Sequence, residues 1–295
     1  MTKALPFTAF VAPARRRPEL WRLVLGLLVV VLVMVVWVAL GIGLLALAVG
    51  LSGAMEVMAT LADPVTPRAT LILLSTFVGM FLAPIVAARL LHRRGARSLF
   101  GPGRVVLRDF FAALAISAVI YGAMLFFWFA GFDAVANVPP ALWLALLPLS
   151  LLAVAVQTGA EELLFRGYIM QQLAARFPTP LVYMLVPSLL FGLLHYDPNT
   201  LGSNAWAVVG STAFFGLIAA DLTNATGSVG AAWGLHMANN VVAILLLSTQ
   251  GTITGLALFV TPYAASEVAI TGPLLMADLA LIIVVWIALR WRLGR

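Results

Sequence analysis

Three stretches without a single Asp, Glu, Lys, Arg or His constrain this chain more than any other feature: between Arg22 and Glu56, between Arg68 and Arg89, and between Asp109 and Asp133. Each holds the roughly 20 apolar residues that a helix needs to cross a bilayer core. Hydrophobic residues make up 63% of the 295 and charged residues 9%, too little polar surface for a water-soluble domain. The expected fold class is therefore an all-α, polytopic transmembrane bundle.

Apolar length and Pro/Gly punctuation place eight spans near 23–49, 69–90, 109–131, 141–174, 180–196, 204–220, 229–249 and 271–291. The fourth is too long for one perpendicular crossing. The run from Leu23 to about Gly50 exceeds a cleavable signal core and reads as a retained first span. A pI near 10.5 does not indicate nucleic acid, because the basic residues form short clusters beside the spans. Arg15–Arg22 and the loop with Arg89, His92, Arg93, Arg94, Arg97, Arg104 and Arg108 place both on the cytoplasmic side by the positive-inside rule. Eight crossings return the C-terminus there, with Arg290, Arg292 and Arg295, and the cell membrane is the expected location. The absence of cysteine removes disulfides, thiolate metal sites and a catalytic thiol. We divide the chain into residues 1–140 (three spans and the basic loop), 141–250 (a catalytic core) and 251–295 (a last span).

Ionisable side chains at bilayer depth are costly and mark function. Three clusters stand out: Glu161-Glu162-Leu163-Leu164-Phe165-Arg166, Phe191-Gly192-Leu193-Leu194-His195, and His236-Met237-Ala238-Asn239-Asn240. On a helix Glu162 and Arg166 share a face and pair, whereas Glu161 projects about 100° away and is free to serve as a general base. The break at Phe177-Pro178-Thr179-Pro180 folds the chain into a hairpin, with Glu161 and His195 each about 17 residues from the turn and so at nearly the same depth. His236 and Asn240 share a face and supply paired donors suited to an oxyanion hole. Blander readings exist for each: a buried ion pair, a helix-end histidine before Asp197-Pro198, and interhelical hydrogen-bond glue. His92 is assigned no chemistry. Asp221, Glu267 and Asp278 read as boundary residues near span ends, and the tryptophans as partly an aromatic belt.

These motifs resemble the CAAX prenyl endopeptidase and bacteriocin-processing intramembrane proteases, the CPBP or Abi family. A double glutamate then arginine corresponds to Glu161, Glu162 and Arg166. Phenylalanine with histidine four on corresponds to Phe191 and His195, and histidine with asparagine four on to His236 and Asn240. The resemblance covers about residues 141–250. It implies that Glu161 and His195 activate water, that His236 and Asn240 hold the oxyanion, and that Glu162 and Arg166 support them. It implies a membrane-associated peptide or protein substrate in the bilayer, with no cofactor. The residues also allow a zinc protease with Glu161, His195 and His236 as ligands, a transporter relaying protons, or a non-catalytic scaffold or immunity protein.

Overall fold

The computed structural model describes residues 6–129, 133–267 and 273–293. Arg295, the last two residues of the third expected span and the first two of the eighth lie outside them. Among the described residues apolar helices of unequal length lie near the expected spans, and the count of eight is approximate: α1 Leu20–Ala59, α2 Pro67–His92, α3 Gly103–Phe129, α4 Pro140–Arg176, α5 Leu181–Leu193, α6 Ala205–Thr226, α7 Gly230–Leu246 and α8 Pro273–Leu293. Among the described residues five helical segments, α1 to α4 and Pro198–Thr226, are long and apolar enough to cross a membrane, while α5 and α7 are shorter apolar helices. The protein is an integral membrane helical bundle, as its composition requires.

Local chemistry sets the helix boundaries. Gly50 adopts φ 79° and ψ 164° inside α1, a conformation essentially confined to glycine; it breaks the helix where the apolar run ends. Thr66 caps α2, its hydroxyl oxygen accepting the Ala69 N–H at 3.2 Å, with Pro67 as the first helical residue, a position where the missing N–H costs nothing. Phe177 is extended (φ −115°, ψ 131°) ahead of Pro178 and closes α4, as steric conflict with the proline ring dictates. At 37 residues, α4 is roughly 55 Å long against a hydrocarbon core of about 30 Å. It winds as a wide i→i+5 helix over Leu163–Met170. Two further wide segments are Leu181–Leu185 at the start of α5 and Val241–Leu246, which begins directly after Asn240. The segments after Glu162 and Asn240 follow residues of interest by one position, and such wide turns re-aim the face beyond them.

One departure from the all-α expectation is a small sheet among the loops. Strands β1 Val135–Ala136, β2 Leu247–Gln250 and β3 Phe259–Ala264 lie in the order β1-β3-β2, with β1 antiparallel and β2 parallel to β3. The β2–β3 register shifts between Ser248 and Gln250. Pro262 in β3 lacks an N–H for the ladder, and the Gln250 N–H instead donates to the Thr261 hydroxyl at 3.3 Å.

Helix α7 is the innermost element, packed on α3, α4 and α6, with Ala231, Ala232, Leu235 and Ala238 buried. Small residues let it approach its neighbours closely, as membrane packing favours. A Cβ at Gly234 would collide with the Phe110 carbonyl oxygen and come within 3.0 Å of Ala113 Cβ and the Leu114 nitrogen. Gly234→Ala therefore has to push α7 off α3. We expect a loss of about 1–3 kcal/mol in detergent unfolding, and unchanged unfolding would refute this close fit.

Several polar residues hold helices together instead of marking boundaries. His92, expected in a loop, is the buried last residue of α2; its Nε2 lies 2.9 Å from the Tyr168 hydroxyl and its Nδ1 3.2 Å from the Arg17 carbonyl oxygen. Arg94 donates to Gln171 Oε1 at 2.6 Å, and burial pushes its pKa down to about 10. Asp221 accepts from Trp286 Nε1 at 2.8 Å and lies 3.4 Å from Arg290 Nε, linking α6 to α8. Trp37, Trp143 and Trp233 each donate an indole N–H to a carbonyl of a neighbouring segment at 2.8–3.0 Å, so these tryptophans brace joints, whereas Trp21, Trp206 and Trp291 are exposed as a belt would require. The reason is common to all: which face a residue presents depends on neighbours distant in sequence.

Candidate active site

The second half of the chain converges on a polar cluster inside the apolar bundle. Glu161 and Glu162 sit at the end of the regular part of α4, and Arg166 follows in its wide segment. Arg166 Nη1 donates to Glu162 Oε1 at 2.9 Å, and its Nη2 donates to the Gly216 carbonyl oxygen of α6 at 2.9 Å. Glu162 and Arg166 are 0% and 1% exposed, so this ion pair is removed from solvent. The guanidinium carbon also lies 5.0 Å from the Phe191 ring centroid, a cation–π contact that offsets part of its desolvation.

His236 of α7 spans the two glutamates. Its Nδ1 lies 2.8 Å from Glu162 Oε1 and its Nε2 3.4 Å from Glu161 Oε2. Glu162 is thus shared between arginine and histidine, a link beyond the i,i+4 pair read from the sequence. A carboxylate only accepts, so Nδ1 carries a proton towards Glu162. Nε2 then faces Glu161 and donates to another group only when the ring carries its second proton. Phe191 and Phe215 pack edgewise on the imidazole at centroid distances of 5.8 and 5.0 Å, which fixes its plane.

Glu161 is held by a residue that sequence reading missed. Gln157, one helical turn earlier, donates from Nε2 to Glu161 Oε1 at 2.7 Å, and its Oε1 accepts from Asn240 Nδ2 at 2.8 Å. Gln157 therefore bridges the candidate base and the candidate oxyanion donor. Its i−4 spacing from Glu161 is the signal that would have found it. Asn240 has a second N–H on the same nitrogen, and its Oδ1 accepts from Asn239 Nδ2 at 3.1 Å.

His195 lies just past the end of α5 and is exposed. Its Nδ1 is 2.8 Å from the Phe191 carbonyl oxygen. A carbonyl can only accept, so Nδ1–H donates and the Nε2 lone pair is left available as a base. The Asp197 side chain caps the following turn, accepting from the N–H groups of Asn199 and Thr200 at 3.1 and 3.2 Å; hydrogen bonding to the Thr200 side chain, and then to its backbone N–H, holds the carboxyl below the ordinary range.

Gln157, Glu161, His195, His236 and Asn240 all line one cavity of about 230 Å³ between α4, α5, α6, α7 and α8. Glu162 and Arg166 stand behind it. Among the described residues no group of three or more His, Asp or Glu side chains is placed to share a metal ion.

Fold and site together define a polytopic helical membrane protein in which buried Glu161 and His236, half-buried Asn240 and exposed His195 line one small cavity. Residues 139–242, which carry every side chain of that cluster named above, match the family described as type II CAAX prenyl endopeptidase Rce1-like, which bears out the resemblance to the CPBP family. The chain is also 32% identical over 120 residues to the uncharacterized protein YyaK of Bacillus subtilis (strain 168), a stretch covering 40% of this chain and 39% of that one. It thus matches about two fifths of that curated relative's length. No solved structure matches.

Proposed function

We propose that this protein is an intramembrane endopeptidase that hydrolyses a peptide bond in a membrane-associated protein or peptide. One observation carries the reading: Glu161, the free Nε2 face of His195 and the amide of Asn240 open onto the same cavity within the family-matched segment. In the proposed reaction a water held between Glu161 and His195 gives up a proton as its oxygen attacks the scissile carbonyl carbon. General-base assistance of this kind contributes about 10²–10⁴ in rate.

The carbonyl oxygen gains negative charge and is met by the unused N–H of Asn240, and by His236 Nε2 when that ring is doubly protonated. Removing one such donor costs about 10²–10³. The abstracted proton then passes to the leaving nitrogen, the C–N bond breaks, and an acid and an amine are released. Glu162 and Arg166 keep His236 oriented, and Gln157 keeps Glu161 and Asn240 in register. The division of the chain into an N-terminal three-span unit, this core and a last span is part of the same proposal, as is metal independence.

The test is comparison of peptide termini in membranes from cells expressing wild-type protein or Glu161→Ala at equal levels. New termini are expected with the wild type alone, and they identify the substrate. Identical profiles with both folded would defeat the reading. Cleavage should survive metal chelators; loss that added zinc restores would instead assign Glu161, His195 and His236 to a metal.

A further inference from the structure

A second cavity, of about 180 Å³, adjoins the first, and Asn239 and Asp278 line both. Asp278 is the sixth residue of α8, and the structure sets it in the walls of both cavities, where the sequence suggested a boundary residue reaching headgroups. It is exposed and, among the described residues, forms no ion pair. Tyr121 of α3 lines the second cavity as well; it is only 5% exposed, and its hydroxyl has no hydrogen-bond partner among the described residues. A buried hydroxyl left unpaired is costly and calls for a partner. The remaining wall is apolar, with Met124, Leu125, Val242 and Leu281.

This second cavity is tied to the reacting centre by a continuous hydrogen-bonded path. Asn239 donates to Asn240 at 3.1 Å, Asn240 to Gln157 at 2.8 Å, and Gln157 to Glu161 at 2.7 Å. A substrate group held beside Asn239 is therefore next to the group that would hold the scissile carbonyl oxygen. At about 180 Å³ the space is smaller than the roughly 300–1,000 Å³ of a pocket for a free small ligand. It is the size of one side chain.

Resting on the protease reading, we propose that this cavity is a specificity pocket for a lysine or arginine side chain of the substrate, at a residue flanking the scissile bond. The aliphatic stem lies along Met124, Leu125 and Val242. The cationic head reaches Asp278 and the Tyr121 hydroxyl. An apolar sleeve with one acid and one acceptor at its end complements a long side chain with a charged tip, and it would leave Asp278 without a counter-charge when a neutral side chain enters.

The experiment uses full-length protein in lipid vesicles and matched peptides, made from a cleaved sequence, carrying lysine or norleucine at each of the two positions beside the scissile bond. Wild type is expected to show a kcat/KM ratio of lysine to norleucine of about tenfold or more at one position. Asp278→Asn is expected to lower that ratio about tenfold, and Asp278→Lys to reverse the preference towards a glutamate peptide. Because the ratio compares two peptides on one protein, a general loss of activity leaves it readable. Tyr121→Phe should lower it about threefold, and this variant decides the matter where Asp278→Asn cleaves neither peptide. A wild-type ratio near one, or one unchanged in the variants, overturns the pocket and leaves the protease intact; no cleavage of any peptide or membrane protein by the wild type overturns both.

Discussion

Glu161→Gln is expected to lower kcat by about 10²–10⁴ while leaving the fold in place. The substituted amide is nearly isosteric, and its oxygen can still accept the Gln157 N–H that now lies 2.7 Å from Glu161 Oε1. What disappears is the second acceptor oxygen and the negative charge that draws a proton from water. Among the described residues Glu161 carries no arginine partner of its own, so the loss of charge leaves no arginine there without its partner. Purified variant and wild type should unfold alike in detergent and differ only in turnover of a cleaved peptide. A variant with more than a tenth of wild-type kcat would remove Glu161 from the role of base and return attention to His195.

The largest stability effect is expected at Arg166. Arg166→Met leaves Glu162 fully buried, with His236 alone against it, and frees the Gly216 carbonyl oxygen from its donor. Breaking a buried pair from one side costs about 3–5 kcal/mol, because the remaining charge stays desolvated. The companion change Glu162→Leu in the same chain should restore much of that stability, since the uncompensated charge is gone. It should not restore activity, because His236 Nδ1 then has no carboxylate to orient it. Thermal unfolding of the two single variants and the double variant gives the coupling directly. Arg166→Met unfolding like the wild type would show that the pair contributes nothing to holding α4 and α6 together.

The sequence by itself determined the solvent of this protein and the order of its helices. Stretches such as 23–55, without a charge, leave no alternative to burial in lipid, because backbone polar groups in hydrocarbon must bond within their own segment. The proline break at Phe177-Pro178-Thr179-Pro180 and the Thr66-Pro67 cap set helix ends by short-range sterics and hydrogen bonding, so they were legible locally. The residue types of the site were legible as well, since Glu161, Glu162, Arg166, His195, His236 and Asn240 are polar where apolar residues are the rule.

Only the tertiary structure decided which of these groups meet. That Glu162 serves both Arg166 and His236, that Gln157 joins Glu161 to Asn240, and that His92 closes on Tyr168 all depend on the packing and rotation of neighbouring helices. Helical phase is set by side chains tens of residues apart and by the wide turns after Glu162 and Asn240, which a regular 3.6-residue count does not anticipate. Asp278 shows the limit most plainly. Counting puts it near the start of a span, where charge is cheap, and only the placement of α8 against α3 and α6 brings it to the cavity that Asn239 and Tyr121 also line. Hydrophobic burial is a property of composition and can be read along a chain, whereas a site is a property of distances between segments and exists only once they are packed.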